Sequence, residues 1–188
     1  MIRQILTMFT KKDALEIIIA FIVAWLFYQG LAVVTGTKMP IVSVVSDSML
    51  HTEKFDNWWG SKSAYYSDLE ISREDFKKFP VPRGLSCGDL LFITRDDNPR
   101  IGDVVIYSRP GSDYTIVHRI VDRSDNIYIT KGDNNAAPDA PISNSQLQGR
   151  MVFAMPLLGS PRLALYYIES LFRGIPVNLG GQCSLARI

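Results

Sequence analysis

Side chains able to do proton or acyl chemistry are concentrated in three stretches of the chain. The first reads Ser46-Asp47-Ser48-Met49-Leu50-His51, with hydroxyls, a carboxylate and an imidazole within six positions. The second, Tyr114-Thr115-Ile116-Val117-His118-Arg119-Ile120-Val121, sets His118 among β-branched residues. The third runs Lys131-Gly132-Asp133-Asn134-Asn135 and reaches a further carboxylate at Asp139. A serine hydroxyl is a weak nucleophile at its own pKa and needs a base within hydrogen-bond reach. The chain has only two histidines, so His51, three residues from Ser48, and His118 are the candidates. An imidazole in an apolar strand must find a polar partner or a wet cleft, and a rigid strand holds a base well. Taken singly, His118 reads as a strand histidine satisfied by its neighbours, and Asp-Asn-Asn after glycine is ordinary turn chemistry. What raises these stretches above those readings is their order and combination.

These groups need a scaffold, and its most distinct part is near the N-terminus. Residues 17–34 read IIIAFIVAWLFYQGLAVV, with Gln29 the one strongly polar side chain. With Ala14 and Leu15 the segment reaches the ~20 residues that cross a hydrocarbon core of about 30 Å. It is apolar all round, unlike the stripe of a surface helix. LAVVTG gives no convincing cleavage site of the A-x-A kind, so a retained anchor is expected rather than a removed leader. Arg3, Lys11 and Lys12 precede it and only Lys38 follows closely, which places the N-terminus in the cytoplasm and the rest of the chain outside. The expected division is a cytoplasmic 1–13, an anchor over 14–35, an extracytoplasmic domain over 36–160 and a C-terminal segment and tail over 161–188.

Beyond the anchor, IVSVV (41–45) leads into the first reactive stretch. Runs at 89–93, 103–108, 115–122, 126–130 and 151–158 have strand character and are bounded by Gly, Pro, Asn or Asp. Close-spaced short strands with little helix predict a mainly β, antiparallel domain. Residues 52–82 interrupt this pattern with charges and aromatics. They read as an insertion with one short helix around Ser72 to Phe79, its Trp58, Trp59, Tyr65 and Tyr66 anchoring it to the domain or to the membrane interface. LALYYIESLF (163–172) reads as a short amphipathic helix. A net charge of +1 carries no signature of a nucleic-acid binder. Cys87 and Cys183 show no metal spacing, and whether they pair or stay free thiols is open. No metal or organic cofactor is expected.

With S-x-S-M behind an anchor, then YTIVHRIV, then G-D-N-N-x-x-x-D, the chain resembles the type I signal peptidases of archaeal and endoplasmic-reticulum type, from the anchor to about residue 160. The resemblance implies an antiparallel β-sheet catalytic domain of signal-peptidase type carrying one transmembrane helix. It makes Ser48 the nucleophile and His118 the base, where bacterial relatives use lysine. It matches Asp133 and Asp139 to functional aspartates, with Asp139 the favoured partner of His118 and Asp133 supporting or structural. It gives the Ser46 hydroxyl and the Ser48 N–H the oxyanion hole. Met49 is expected to pack beneath the nucleophile turn and His51 to be structural or at the substrate edge.

The implied function is a membrane-anchored serine endopeptidase that removes signal peptides from exported preproteins, reading small residues at the first and third positions before the cut. Expected partners are those preproteins, the lipid bilayer and the protein-export machinery, with no nucleic acid. The 41–45 and 104–107 runs are candidate walls of the substrate pocket. The alternative is a membrane-tethered β domain that binds extended peptides without cutting them.

Overall fold

A computed structural model describes residues 10–111, 114–156 and 158. The first element, α1 (Lys11–Thr35), starts where Thr10 and Asp13 cap each other: the Asp13 N–H donates to Thr10 Oγ1 and the Thr10 N–H to the Asp13 carboxylate. It ends at Gly36, whose φ of 67° is left-handed and whose N–H returns to Val33 O. At about 1.5 Å per residue its 25 residues span roughly 37 Å. Its apolar side chains are exposed on every side, Phe21 and Val34 among the most. It is therefore long and apolar enough to cross a membrane.

The remainder is built on one antiparallel sheet. Its strands are β1 (Ile41–Ser43), β2 (Leu90–Thr94), β3 (Val104–Ser108), β4 (Thr115–Ser124), β5 (Ile127–Lys131), β6 (Ile142–Ser143) and β7 (Leu147–Met155). They lie side by side as β1-β2-β7-β3-β4-β5-β6. This agrees with the mainly β, antiparallel expectation. β7 begins earlier than the apolar run at 151–158 suggests and stops at Met155. Gln148, Gly149 and Arg150 look like loop residues, yet Gly149 faces Ile106, and Arg150 faces both Thr94 and Val105. A strand held on both edges tolerates polar residues that its composition alone would not place there.

The sheet buries apolar side chains on both faces. Val42, Val44, Met49, Leu85, Leu91, Ile93, Val104, Ile106 and Met151 form one core. Val105, Tyr107, Ile120, Tyr128 and Ile142 form another. A third cluster belongs to the insertion, which holds two helices rather than one. α3 (Arg73–Lys78) is the expected short helix, capped by Ser72. α2 (Phe55–Ser67) was not foreseen, because Lys54 gives no side-chain cap and aromatic residues and Gly60 are weak helix formers. It is held by packing instead: Trp58, Trp59 and Tyr66 are buried against Ile71, Phe76 and Val121. These rings anchor the insertion to the sheet. The 163–172 segment, the tail and Cys183 lie outside the described residues.

Candidate active site

Ser48 sits on a tight turn after β1. The Leu50 N–H donates to Asp47 O at 3.1 Å and the Leu85 N–H to Met49 O at 2.8 Å. Met49 points down into the core, 1% exposed, as expected of a residue packing beneath the turn. A second segment grips the turn from the side. The Asn134 N–H donates to Ser48 O at 2.8 Å and its carboxamide to Asp47 O at 3.0 Å. The Ser46 and Ser48 hydroxyls are 3.1 Å apart.

Strand alternation on β4 sends His118 and Arg119 to opposite faces. His118 meets Asp139, which is tied to the neighbouring strand by its N–H to Thr130 O at 2.8 Å. His118 Nδ1 lies 2.5 Å from Asp139 Oδ2, and Thr130 Oγ1 donates to the same oxygen at 2.9 Å. A carboxylate on Nδ1 selects the tautomer with the proton there and leaves Nε2 with a free lone pair. Burial pushes the Asp139 carboxyl up, but bonds from His118, Thr130 and Tyr107 outweigh it and hold the carboxyl below its ordinary value. Tyr107, 3.1 Å from Thr130 Oγ1, is pushed up to about 12, chiefly by burial.

Gly132 lets the two halves approach. A Cβ there would stand 2.6 Å from Ser48 O, 2.8 Å from His118 Nε2 and 2.8 Å from Asn135 Nδ2. Ser46, Ser48, His118 and Asn135 line one cleft of about 450 Å³. Residues 42–45 and 114–117 form its walls. The 104–107 run, expected as a wall, is fully buried in β3 and does not line the cleft. A more polar hollow of about 500 Å³, between the end of α1 and residues 95–97 and 144–149, holds none of these groups.

Arg119 and Asp133 meet on the other face. Arg119 Nε and Nη2 donate to the two Asp133 oxygens at 2.9 and 2.8 Å, a bidentate pair with both side chains wholly buried. The remaining guanidinium protons go to Pro80, Val81 and Gly102 carbonyls, and the Phe76 ring lies 4.8 Å from its centre. His51 completes this group. Its Nε2 donates to Asp133 Oδ2 at 3.1 Å and its ring stacks on Trp58 at 3.6 Å. Burial pushes Asp133 up, but Arg119 and His51 hold it down at about 2. The structure thus brings Ser46, Ser48, His118 and Asp139 around one region and sets Asp133 and His51 behind it.

Arg119 and Lys131 play parts that the sequence did not announce. Lys131 faces Arg119 across β4 and β5 and is buried under the Tyr65 and Tyr66 rings. Burial lowers its amine to about 8. A charged residue beside histidine in a strand, and another before Gly-Asp, were the available signals. Among the described residues no cluster of His, Cys, Asp or Glu could hold a metal ion.

No family model matches the chain. Over 140 residues it is 31% identical to the signal peptidase complex catalytic subunit SEC11 of Saccharomyces cerevisiae strain YJM789, a match covering 71% of this chain and 65% of the relative. It is 30% identical to the protein of the same name from Zygosaccharomyces rouxii over 125 residues, 63% of this chain and 56% of that one. The chain therefore spans between 56% and 65% of the length of these curated relatives. It is similar in sequence to catalytic subunits of the signal peptidase complex.

Proposed function

We propose that the protein is a membrane-anchored serine endopeptidase of the type I signal peptidase kind, which removes signal peptides from exported preproteins. The observation that carries this reading is the His118 Nδ1–Asp139 pair, placed where His118 and Ser48 line the same cleft. In the proposed reaction the Ser48 hydroxyl attacks the scissile carbonyl and His118 Nε2 takes its proton. Asp139 holds the imidazole in the required tautomer and stabilises the imidazolium. The Ser48 N–H and the Ser46 hydroxyl receive the developing oxyanion. His118 then protonates the leaving amine, and water, activated by the same base, hydrolyses the acyl-enzyme. Asp133 serves as the buried anion that neutralises Arg119.

An extended preprotein segment suits the cleft, whose walls are the strand-like residues 42–45 and 114–117. Small side chains at the first and third positions before the cut are the expected preference. α1 supplies the anchor, with its N-terminus cytoplasmic and the sheet domain outside, beside the export machinery that delivers preproteins. The test is cleavage of a preprotein by the purified full chain in detergent. Wild type is expected to cut at the signal-peptide junction and Ser48→Ala to bind without cutting. Binding without turnover by wild type would favour the non-catalytic peptide-binding alternative.

A further inference from the structure

Arg109, which follows the end of β3 and begins the loop to β4, has no part in the reaction as described. Its Nη2 lies 3.5 Å from Asp139 Oδ1, the oxygen that neither His118 nor Thr130 contacts. Its side chain is 37% exposed, yet its Nε and Nη2 atoms are buried and have no hydrogen-bond partner. Buried donors are rarely left unsatisfied without a reason. Here Nη2 adjoins a carboxylate, and closure by about half an ångström would bring it to the usual charge-assisted distance. Contacts of this kind often tighten only when a cleft is filled.

We propose that Arg109 is a positioning residue for the acyl-transfer site: acting through Asp139, it fixes the carboxylate that orients His118 and sets the pH at which His118 can accept a proton. The proposal rests on the reading of Ser48, His118 and Asp139 as one catalytic unit. Other charged or titratable groups also face this pair. Tyr107 comes from β3, its ring 6.4 Å from that of His118. Lys131 of β5 and Tyr65 of α2 interact with Asp139 electrostatically. Lys131 is held against the insertion's rings, however, and Arg119 is paired with Asp133 behind the sheet. Among the described residues, Arg109 is the arginine whose guanidinium comes within 3.5 Å of the Asp139 carboxylate.

The sign of the effect follows from the charges. A cation beside the pair opposes the imidazolium, so removing it favours protonated His118, and a higher pH is needed to free Nε2. Arg109→Gln is expected to move the acid limb of kcat/KM upward by about half a unit to one unit. Arg109→Lys, which keeps charge but not the planar fork, should leave the limb in place while lowering the rate. The rate probe is a preprotein with alanine at the first and third positions before the cut.

A second readout is independent of turnover. The chain has two histidines, so the His118 imidazole can be followed by NMR in detergent, assigned by the signal lost in His118→Gln. Its titration midpoint should rise in Arg109→Gln and not in Arg109→Lys. An unchanged midpoint with a pH-independent loss of rate would overturn the proposal, as would equal shifts in the two variants. If wild type failed to cut the preprotein, the catalytic reading would fall while the imidazole titration still reported whether Arg109 acts on His118.

Discussion

Substituting Gly132 by alanine should wedge the nucleophile turn away from the base. The Gly132 backbone is not left-handed, so alanine meets no conformational penalty there, and the effect is purely steric. The new methyl would fall about 0.6 to 0.8 Å inside ordinary contact with Ser48 O, His118 Nε2 and Asn135 Nδ2 at once. Two of these neighbours cannot yield freely. Ser48 O is pinned by the Asn134 N–H at 2.8 Å and the His118 ring by Asp139 at 2.5 Å. Overpacking of this kind costs about 1–3 kcal/mol of stability, while misplacing reacting groups by about 1 Å can cost on the order of 100-fold in rate. Gly132→Ala is therefore expected to remain folded and to lose about two orders of magnitude in kcat/KM. The assay is preprotein cleavage by the purified full chain, with thermal unfolding measured in parallel. Near-normal turnover by the variant would show that Ser48 and His118 do not need the close approach that glycine allows.

The two aspartates should separate by phenotype: Asp139→Asn loses activity yet unfolds near the wild-type temperature, whereas Asp133→Asn leaves Arg119 buried without its anion and costs about 3–5 kcal/mol of stability in denaturant titrations. Because Asp133 titrates at about 2 when folded against an ordinary 3.8, its stabilisation is complete above about pH 4 and disappears as pH falls through about 2; an acid-unfolding curve of wild type unchanged by Asp133→Asn would contradict this. Lys131, lowered from 10.5 to about 8, costs stability at neutral pH, and that cost is relieved as pH rises from about 8 to about 10.5. Lys131→Met should thus be neutral or stabilising near pH 7, with an advantage that shrinks in alkaline melts; a large loss at neutral pH would show that the ring contacts outweigh desolvation. A glycosylation acceptor placed after residue 150 should be modified if the sheet domain lies outside, and protection on the cytoplasmic side would overturn the topology.

Much of the architecture could be read in advance because its signals are local. β-branched runs between Gly and Asp gave β2 to β5, and an unbroken apolar stretch gave α1. What escaped depended on distant partners. α2 has poor intrinsic helix propensity and exists because Trp58, Trp59 and Tyr66 find Phe76, Ile71 and Val121 across the insertion and β4. The polar start of β7 is a strand only because β2 and β3 pair with it on either side. At the site, residue types and order pointed to Ser48, His118 and the two aspartates but could not divide the aspartates' work. Their different partners follow from register: His118 and Arg119 are consecutive and face opposite ways, so each meets the aspartate on its own side. Arg119 and Arg109 were invisible as site neighbours, since an arginine reads as a surface charge until its carboxylate is located.

The central claim is that Ser48 forms a covalent bond to the preprotein during cleavage. Rapid quenching of the full chain with a preprotein, followed by proteolysis and mass spectrometry, tests it directly. The peptide carrying Ser48 is expected to gain the mass of the cleaved signal segment, and the adduct to be absent in Ser48→Ala. Cleavage with the adduct on another residue, or undiminished cleavage by Ser48→Ala, would contradict it.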